Sequence, residues 1–161
     1  MNIRFLLLWL LTLIGTSFSL VAMQNSQMVS VRFDSRKTLN CFLSLSSSKK
    51  LQQIDSIDLS GTDVCDNELL AIARACPQLK NLNLRGCDQL TQAYGRAIAQ
   101  MHNLEFLDVG FTDDIHESII RKGIGVVITG CLKLKHLELL PYKNVEKLKL
   151  LVFKVFKNFE V

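Results

Sequence analysis

Histidines, paired carboxylates and thiols are the residues here that could do acid–base, metal or nucleophilic chemistry. His102, His116 and His136 show no metal-ligand spacing and have no cysteine partner at ligand distance along the chain. Surface or loop positions are the expected places for all three. Asp63 and the pair Asp113-Asp114 could serve general acid–base catalysis, but turn and helix-capping duties account for aspartates in such contexts. No nucleophile elbow, phosphate loop or zinc-protease signature occurs. The chain is therefore read as non-enzymatic, with no metal and no cofactor. Its 5 cysteines are an odd number and cannot all pair within one chain. Cys76, Cys87 and Cys131 recur at fixed places in a repeating pattern, where a small buried thiol is expected. Cys41 and Cys65 lie outside that pattern. Most of the thiols are expected to be free and buried, with no disulfide.

The elements that would position these residues are written in that pattern. Ile54-x-x-Ile57-x-Leu59-x-x-Thr62 is followed by Leu79-x-x-Leu82-x-Leu84-x-x-Cys87 and by Leu104-x-x-Leu107-x-Val109-x-x-Thr112. Each apolar position returns at one constant interval, from Ile54 to Leu79 to Leu104. A further copy, Leu134-x-x-Leu137-x-Leu139, arrives after a slightly longer one. Periods of this size mark solenoids built from stacked units. The last two apolar residues of each motif are two apart, so each motif predicts a short strand with one buried face. Neighbouring strands would pair in parallel, which requires a long crossover. A helix supplies it in each unit. Asp66 is the expected cap of the first, with Leu69, Ile72 and Ala73 inward and Cys76-Pro77 as its stop. Thr91 would cap a second helix carrying Tyr94, Ala97, Ile98 and Met101. Asp114 and Glu117 form a capping-box pattern before a third with Ile119, Ile120, Ile124, Val127 and Ile128. Gly123 and Gly125 predict that this longer helix is bent or interrupted.

Outside the repeats, residues 1–22 combine Arg4, an apolar run from Phe5 to Ile14 and small residues after it. They read as a secretory signal peptide with Ser17, Ser19 or Ala22 near the cleavage site. The alternative is a membrane anchor over residues 5–22, at the lower edge of a spanning length. Residues 23–50 read as an N-terminal cap and polar hinge: Val29-x-Val31-x-Phe33 alternates like a strand, Leu39, Phe42 and Leu43 can pack over the first repeat, and Ser44 to Lys50 is polar. Repeats occupy 51–142. Residues 143–161 read as a capping helix, with Asn144 at its start and Val145, Leu148, Val152, Val155, Phe156 and Phe159 along one side. Its lysines, among them Lys147 and Lys154, would also suit an anionic membrane surface, but an open solenoid end requires apolar cover.

The run ACPQLKNLNLRGCDQLT, with Cys76-Pro77 before the strand and Cys87 after it, resembles the cysteine-containing subclass of leucine-rich repeats found in the substrate-binding halves of F-box proteins. The likeness covers Leu51 to Leu140. Thr62 and Thr112 replace the second cysteine, and Met101 the first. The resemblance implies an α/β fold, a short right-handed leucine-rich repeat solenoid (ribonuclease-inhibitor-like, a horseshoe) with parallel strands on the concave face and helices on the convex face. The family's presentation of substrates to a ubiquitin ligase is not carried over, because no Leu-Pro-led three-helix F-box segment precedes the repeats.

Between the inward leucines the strands would display three rows: Ser56, Asn81, Phe106 and His136; Asp58, Asn83, Asp108 and Glu138; and Ser60, Arg85, Gly110 and Leu140. The partner-binding candidates are Ser56, Asp58, Asn81, Asn83, Arg85, Phe106, Asp108, His136 and Glu138. These rows are either ordinary solvated strand residues or a docking face. Phe106 favours docking as an exposed aromatic, the type that dominates interface energetics. The middle row's carboxylates would repel one another, and a basic partner would relieve that. The expected function is an exported, non-enzymatic module that binds a protein bearing a basic patch. The alternatives are a ubiquitin-ligase-type (SCF-like) adaptor or a secreted bacterial effector. With 161 residues, a net charge of +4 and 48% hydrophobic residues, the chain is one domain, and neither disordered nor fibrous. No dense basic run with stacking aromatics points to nucleic acid. Membrane contact is expected only through an uncleaved leader. The expected location is secreted or periplasmic. Intact-mass measurement of protein from an exporting host is expected to show cleavage between Ser19 and Ala22 or just after; retention of Met1 would establish the anchor instead.

Overall fold

Apolar residues spaced two apart share one face of an extended chain, and the repeated motifs use that spacing to build a sheet. The computed structural model describes residues 29–45, 51–110 and 117–139. The motifs form β2 (Ile54–Asp58), β3 (Asn81–Asn83), β4 (Phe106–Asp108) and β5 (His136–Glu138), and β1 (Val29–Arg32) precedes them. All five lie in one parallel sheet in chain order. Ile57, Leu82, Leu107 and Leu137 stand side by side across it. The ladder continues one residue further: Leu59 N–H donates to Asn83 O, Leu84 to Asp108 O and Val109 to Glu138 O, at 2.8–2.9 Å. Leu59, Leu84, Val109 and Leu139 are all buried.

Crossovers between the strands are the helices α1 (Arg36–Leu45), α2 (Asp66–Ala75), α3 (Tyr94–Ile98) and α4 (Glu117–Gly130). Each packs against the next. The architecture is α/β, and one continuous core includes the inward leucines of the sheet and Leu69, Ile72, Tyr94, Ile98, Ile124 and Val127 of the helices. β1 and α1 extend that core at the N-terminal end. Val31, Phe33 and Leu39 are buried, and the rings of Phe33 and Phe42 lie 5.3 Å apart. The strand and apolar residues read from Val29 to Leu43 are thus in place.

Three local expectations need revision. Cys65, not Asp66, is the N-cap of α2. Asp66 is its first residue and instead accepts hydrogen bonds from the Thr91 amide (3.2 Å) and hydroxyl (2.6 Å) in the next unit. Ala93, not Thr91, is the N-cap of α3, a helix of only five residues with no side-chain cap; Thr91 Oγ1 instead accepts from the Ala93 amide (3.2 Å). α4 is the longest helix among the described residues and runs unbroken through Gly123 and Gly125. Gly123 is there for packing, since a side chain on it would overlap the Tyr94 ring, and one on Gly95 would overlap the Gly123 backbone. Glycine at both positions lets α3 and α4 touch backbone to backbone. The leader (1–22), residues 46–50 of the hinge, Asp114 of the capping-box pattern and the helix expected over 143–161 lie outside the described residues. No described helix is long and apolar enough to cross a membrane.

Packed and open glycines of these two helices give opposite expectations. Gly95→Ala should destabilise by about 1–3 kcal/mol through overpacking. Gly125→Ala, which would meet nothing within 4 Å, should stabilise by about 0.5–1 kcal/mol through helix propensity. Urea unfolding of the two variants checks the pair, and equal effects of one sign would refute the packing described.

Candidate functional site

With Ile57, Leu82, Leu107 and Leu137 turned into the core, the residues on either side of them fall on the opposite face. The register aligns Ser56, Asn81, Phe106 and His136 in one row and Asp58, Asn83, Asp108 and Glu138 in the next. The structure therefore brings together eight of the nine candidate residues as two adjacent rows. Arg85 follows Asn83 in the third row, exposed, where the Gly61 amide donates to Arg85 O and the Gly86 amide to Gly110 O (both 2.7 Å). Leu140 lies outside the described residues.

The middle row has a structural task that the sequence reading missed. Asp58 Oδ1 accepts the Ser60 amide (2.9 Å), Asn83 Oδ1 the Arg85 amide (3.0 Å) and Asp108 Oδ1 the Gly110 amide (2.8 Å). In these three units a side-chain oxygen binds the amide two residues on and holds the turn that leaves the strand. The available signal was the recurrence of Asp or Asn at one strand position, each followed by a turn. Two expectations about exposure change with it. Asp108 is only 5% exposed. Phe106 is half-buried rather than exposed, its ring 6.4 Å from that of His136 at 41°. Burial raises the Asp108 pKa above its usual value, and the carboxylates of Glu138 and Asp58 push the same way; the Gly110 amide and Arg85 oppose them. The Arg32 guanidinium meets Asp58 at 3.5 Å.

A further row escaped notice: Asp55, Lys80, Glu105 and Lys135 follow one another across the sheet with alternating charge. Their backbones are linked, Lys80 N–H to Asp55 O, Glu105 to Lys80 O and Lys135 to Glu105 O, each at 2.8 Å. Lys135 Nζ reaches Glu105 Oε2 at 2.6 Å. That bond holds the Glu105 carboxyl below its usual range, helped by Lys80 and Lys133. The signal was the same repeat interval, read at the position after each motif's first apolar residue.

The thiols serve the backbone. Cys87 Sγ donates to Leu59 O (3.1 Å), which also accepts from Thr62 Oγ1 (2.7 Å), and Cys131 Sγ donates to Ile98 O (3.2 Å). Burial pushes Cys76 and Cys131 up to about 12 and Cys87 up to about 11. Thiols so placed are poor nucleophiles at neutral pH. All five cysteines are free thiols, with Cys41 and Cys65 half-buried. His102 is exposed, and His116 and Asp113-Asp114 lie outside the described residues. Among the described residues no group of three His, Cys, Asp or Glu is placed to hold a metal ion.

One polar cluster joins α1 to the first repeat. Glu68 Oε2 accepts the Cys65 amide (3.0 Å) and thiol (2.7 Å), while Oε1 accepts Arg36 Nε (2.8 Å). Asp63 Oδ1 accepts the Arg36 amide at 3.0 Å. Burial alone would raise the Glu68 pKa, but the Cys65 hydrogen bonds and Arg36 outweigh it and hold it at about 2. The groove beside this cluster, about 530 Å³, is lined by Arg36, Lys37, Asn40, Cys41, Ser44 and Asp63, of which Arg36 and Asp63 are engaged in the bonds just described.

No family model matches the chain, and no curated protein sequence matches it.

The depressed Glu68 pKa makes an acid-stability expectation. Its stabilising effect is complete above the ordinary value of 4.5 and is lost as pH falls through about 2. Glu68→Gln should therefore cost about 1–3 kcal/mol at neutral pH, with the difference from wild type shrinking below pH 4.5 and closing near pH 2. Denaturant unfolding across that range measures it. A difference that stayed constant with pH would contradict the charge-based link.

Proposed function

We propose that this chain is a non-enzymatic protein-interaction module, a short right-handed leucine-rich repeat solenoid whose concave sheet face binds a protein partner. The observation that carries this reading is the register. It sets Ser56, Asn81, Phe106 and His136 beside Asp58, Asn83, Asp108 and Glu138, as two straight rows on the face opposite the core. Two rows of polar and aromatic side chains on a rigid sheet form a surface suited to an extended protein contact. The motif Leu79-x-x-Leu82-x-Leu84-x-x-Cys87 supports assignment to the cysteine-containing repeat subclass. Its thiol bonds the carbonyl of Leu59, one unit back, a use of cysteine that a stacked repeat explains. Residues 1–22 support export of the module.

A second reading is favoured by the five free thiols, which fit a reducing compartment better than an oxidising one. In it the chain works in a cytosol, as a ubiquitin-ligase-type adaptor or as a bacterial effector delivered into a host cell. Both readings use the same face.

A photo-crosslinking residue tests the face itself. Placed at Asn81 or His136 it should capture the partner, and placed at Arg74 or Gln100 on the helix side it should not. Phe106→Ala combined with Asp108→Lys should weaken partner binding at least tenfold, about 1.4 kcal/mol. Capture from the helix side, or binding unchanged in the double variant, would overturn the assignment.

A further inference from the structure

Asp108 carries a charge that the fold does not need. Its Oδ1 holds the turn to Gly110, yet Asn83 does the same to Arg85 with a neutral amide, at 3.0 Å against 2.8 Å. An asparagine at position 108 would keep that hydrogen bond. Instead a carboxylate sits there, 5% exposed, beside Glu138 on the neighbouring strand. Directly paired strand residues lie about 5 Å apart, where like charges destabilise, and burying a carboxylate without a counter-charge is costly.

The excess is local. At the β2 end Asp58 is met by Arg32. The β3 positions Asn81 and Asn83 are neutral, and Arg85 follows them. At the β4–β5 end, neither Asp108 nor Glu138 has an ion-pair partner among the described residues. Among the described residues, the groups whose charge reaches Asp108 are Glu138, Asp58 and Arg85, and of these Arg85 is favourable. His136 shares the corner, paired with Phe106 across the strands. Phe106 stands two residues before Asp108 on the same face, half-buried. A half-buried aromatic face beside two carboxylates matches one side-chain chemistry best. A guanidinium is planar, stacks on aromatic rings, and donates to several acceptors at once, whereas an ammonium is a compact, strongly hydrated point charge.

We propose that the corner formed by Phe106, Asp108, His136 and Glu138 is a recognition site for an arginine side chain of the protein partner, a proposal that rests on the sheet-face reading above. The arginine lies over Phe106 and donates to the Asp108 and Glu138 carboxylates. The charge that no described residue pairs is then the feature that the partner completes.

The full chain, labelled for NMR, is titrated with the blocked peptide acetyl-Gly-Arg-Gly-amide and with its Lys and Gln counterparts. The arginine peptide should move the Phe106 ring and Gly110 amide signals, the lysine peptide should bind several-fold more weakly, and the glutamine peptide should leave them in place. Asp108→Asn should weaken arginine binding at least tenfold while raising the Tm of the free protein, and Glu138→Gln should weaken binding as well. A merely structural Asp108 would give the reverse in Tm. The proposal is overturned if Asp108→Asn lowers Tm, if it binds the arginine peptide as wild type does, or if no peptide moves these signals. Equal binding of the glutamine peptide would also overturn it while leaving the sheet-face reading intact. That reading stands or falls on the crosslinking result, which does not depend on charge.

Discussion

Strand register is the constraint on which the other features depend. Because side chains alternate across a strand, sliding one strand by a single residue would put Asn81 and Asn83 into the core and Leu82 into water. Each fully buried leucine or isoleucine contributes about 1.5–3 kcal/mol. Ile57, Leu82, Leu107 and Leu137 together therefore approach the whole stability of an ordinary domain, about 5–15 kcal/mol. The second inward row, Leu59, Leu84, Val109 and Leu139, is fixed by the same pairing. Once the leucines are in register, every other position of the unit is aligned with its counterparts, including those that face away from the core.

That alignment explains why so many polar groups act once per unit. Asp58, Asn83 and Asp108 each hold the turn after their strand, and Cys87 and Cys131 each donate to a carbonyl of the preceding unit. The alternating row from Asp55 to Lys135 places opposite charges side by side, where they attract. The middle row does not alternate. Asp58, Asn83 and Asp108 supply its turns with an oxygen, which Asn83 does without a charge, and among the described residues no ion pair meets Asp108 or Glu138. Charge retained where a neutral residue would serve is the mark expected of a binding surface, because stability and function compete at such sites.

Sequence alone made the sheet legible in detail. Two spacings, the alternation within a motif and the nearly constant interval between motifs, were enough to name the strands, their order and both rows of the polar face. What stayed hidden depends on geometry that no period carries. Arg36 bonds Glu68 across 32 residues, a contact without a copy among the described residues of the other units. Asp66 looked like a cap because caps are local, but its carboxylate was taken by Thr91, 25 residues on. Gly123 reads as a helix breaker until Tyr94 is seen against its bare Cα. Phe106 and Asp108 read as surface residues because alternation tells which face a side chain takes, not how deeply its neighbours cover it.

Scalar couplings across hydrogen bonds, measured by NMR from each amide nitrogen to the carbonyl carbon it bonds, test the register most directly. The expected correlations are Leu59 N with the Asn83 carbonyl, Leu84 N with that of Asp108, and Val109 N with that of Glu138. Correlations displaced by one residue would contradict the stacking of these units and would remove the polar face as a surface.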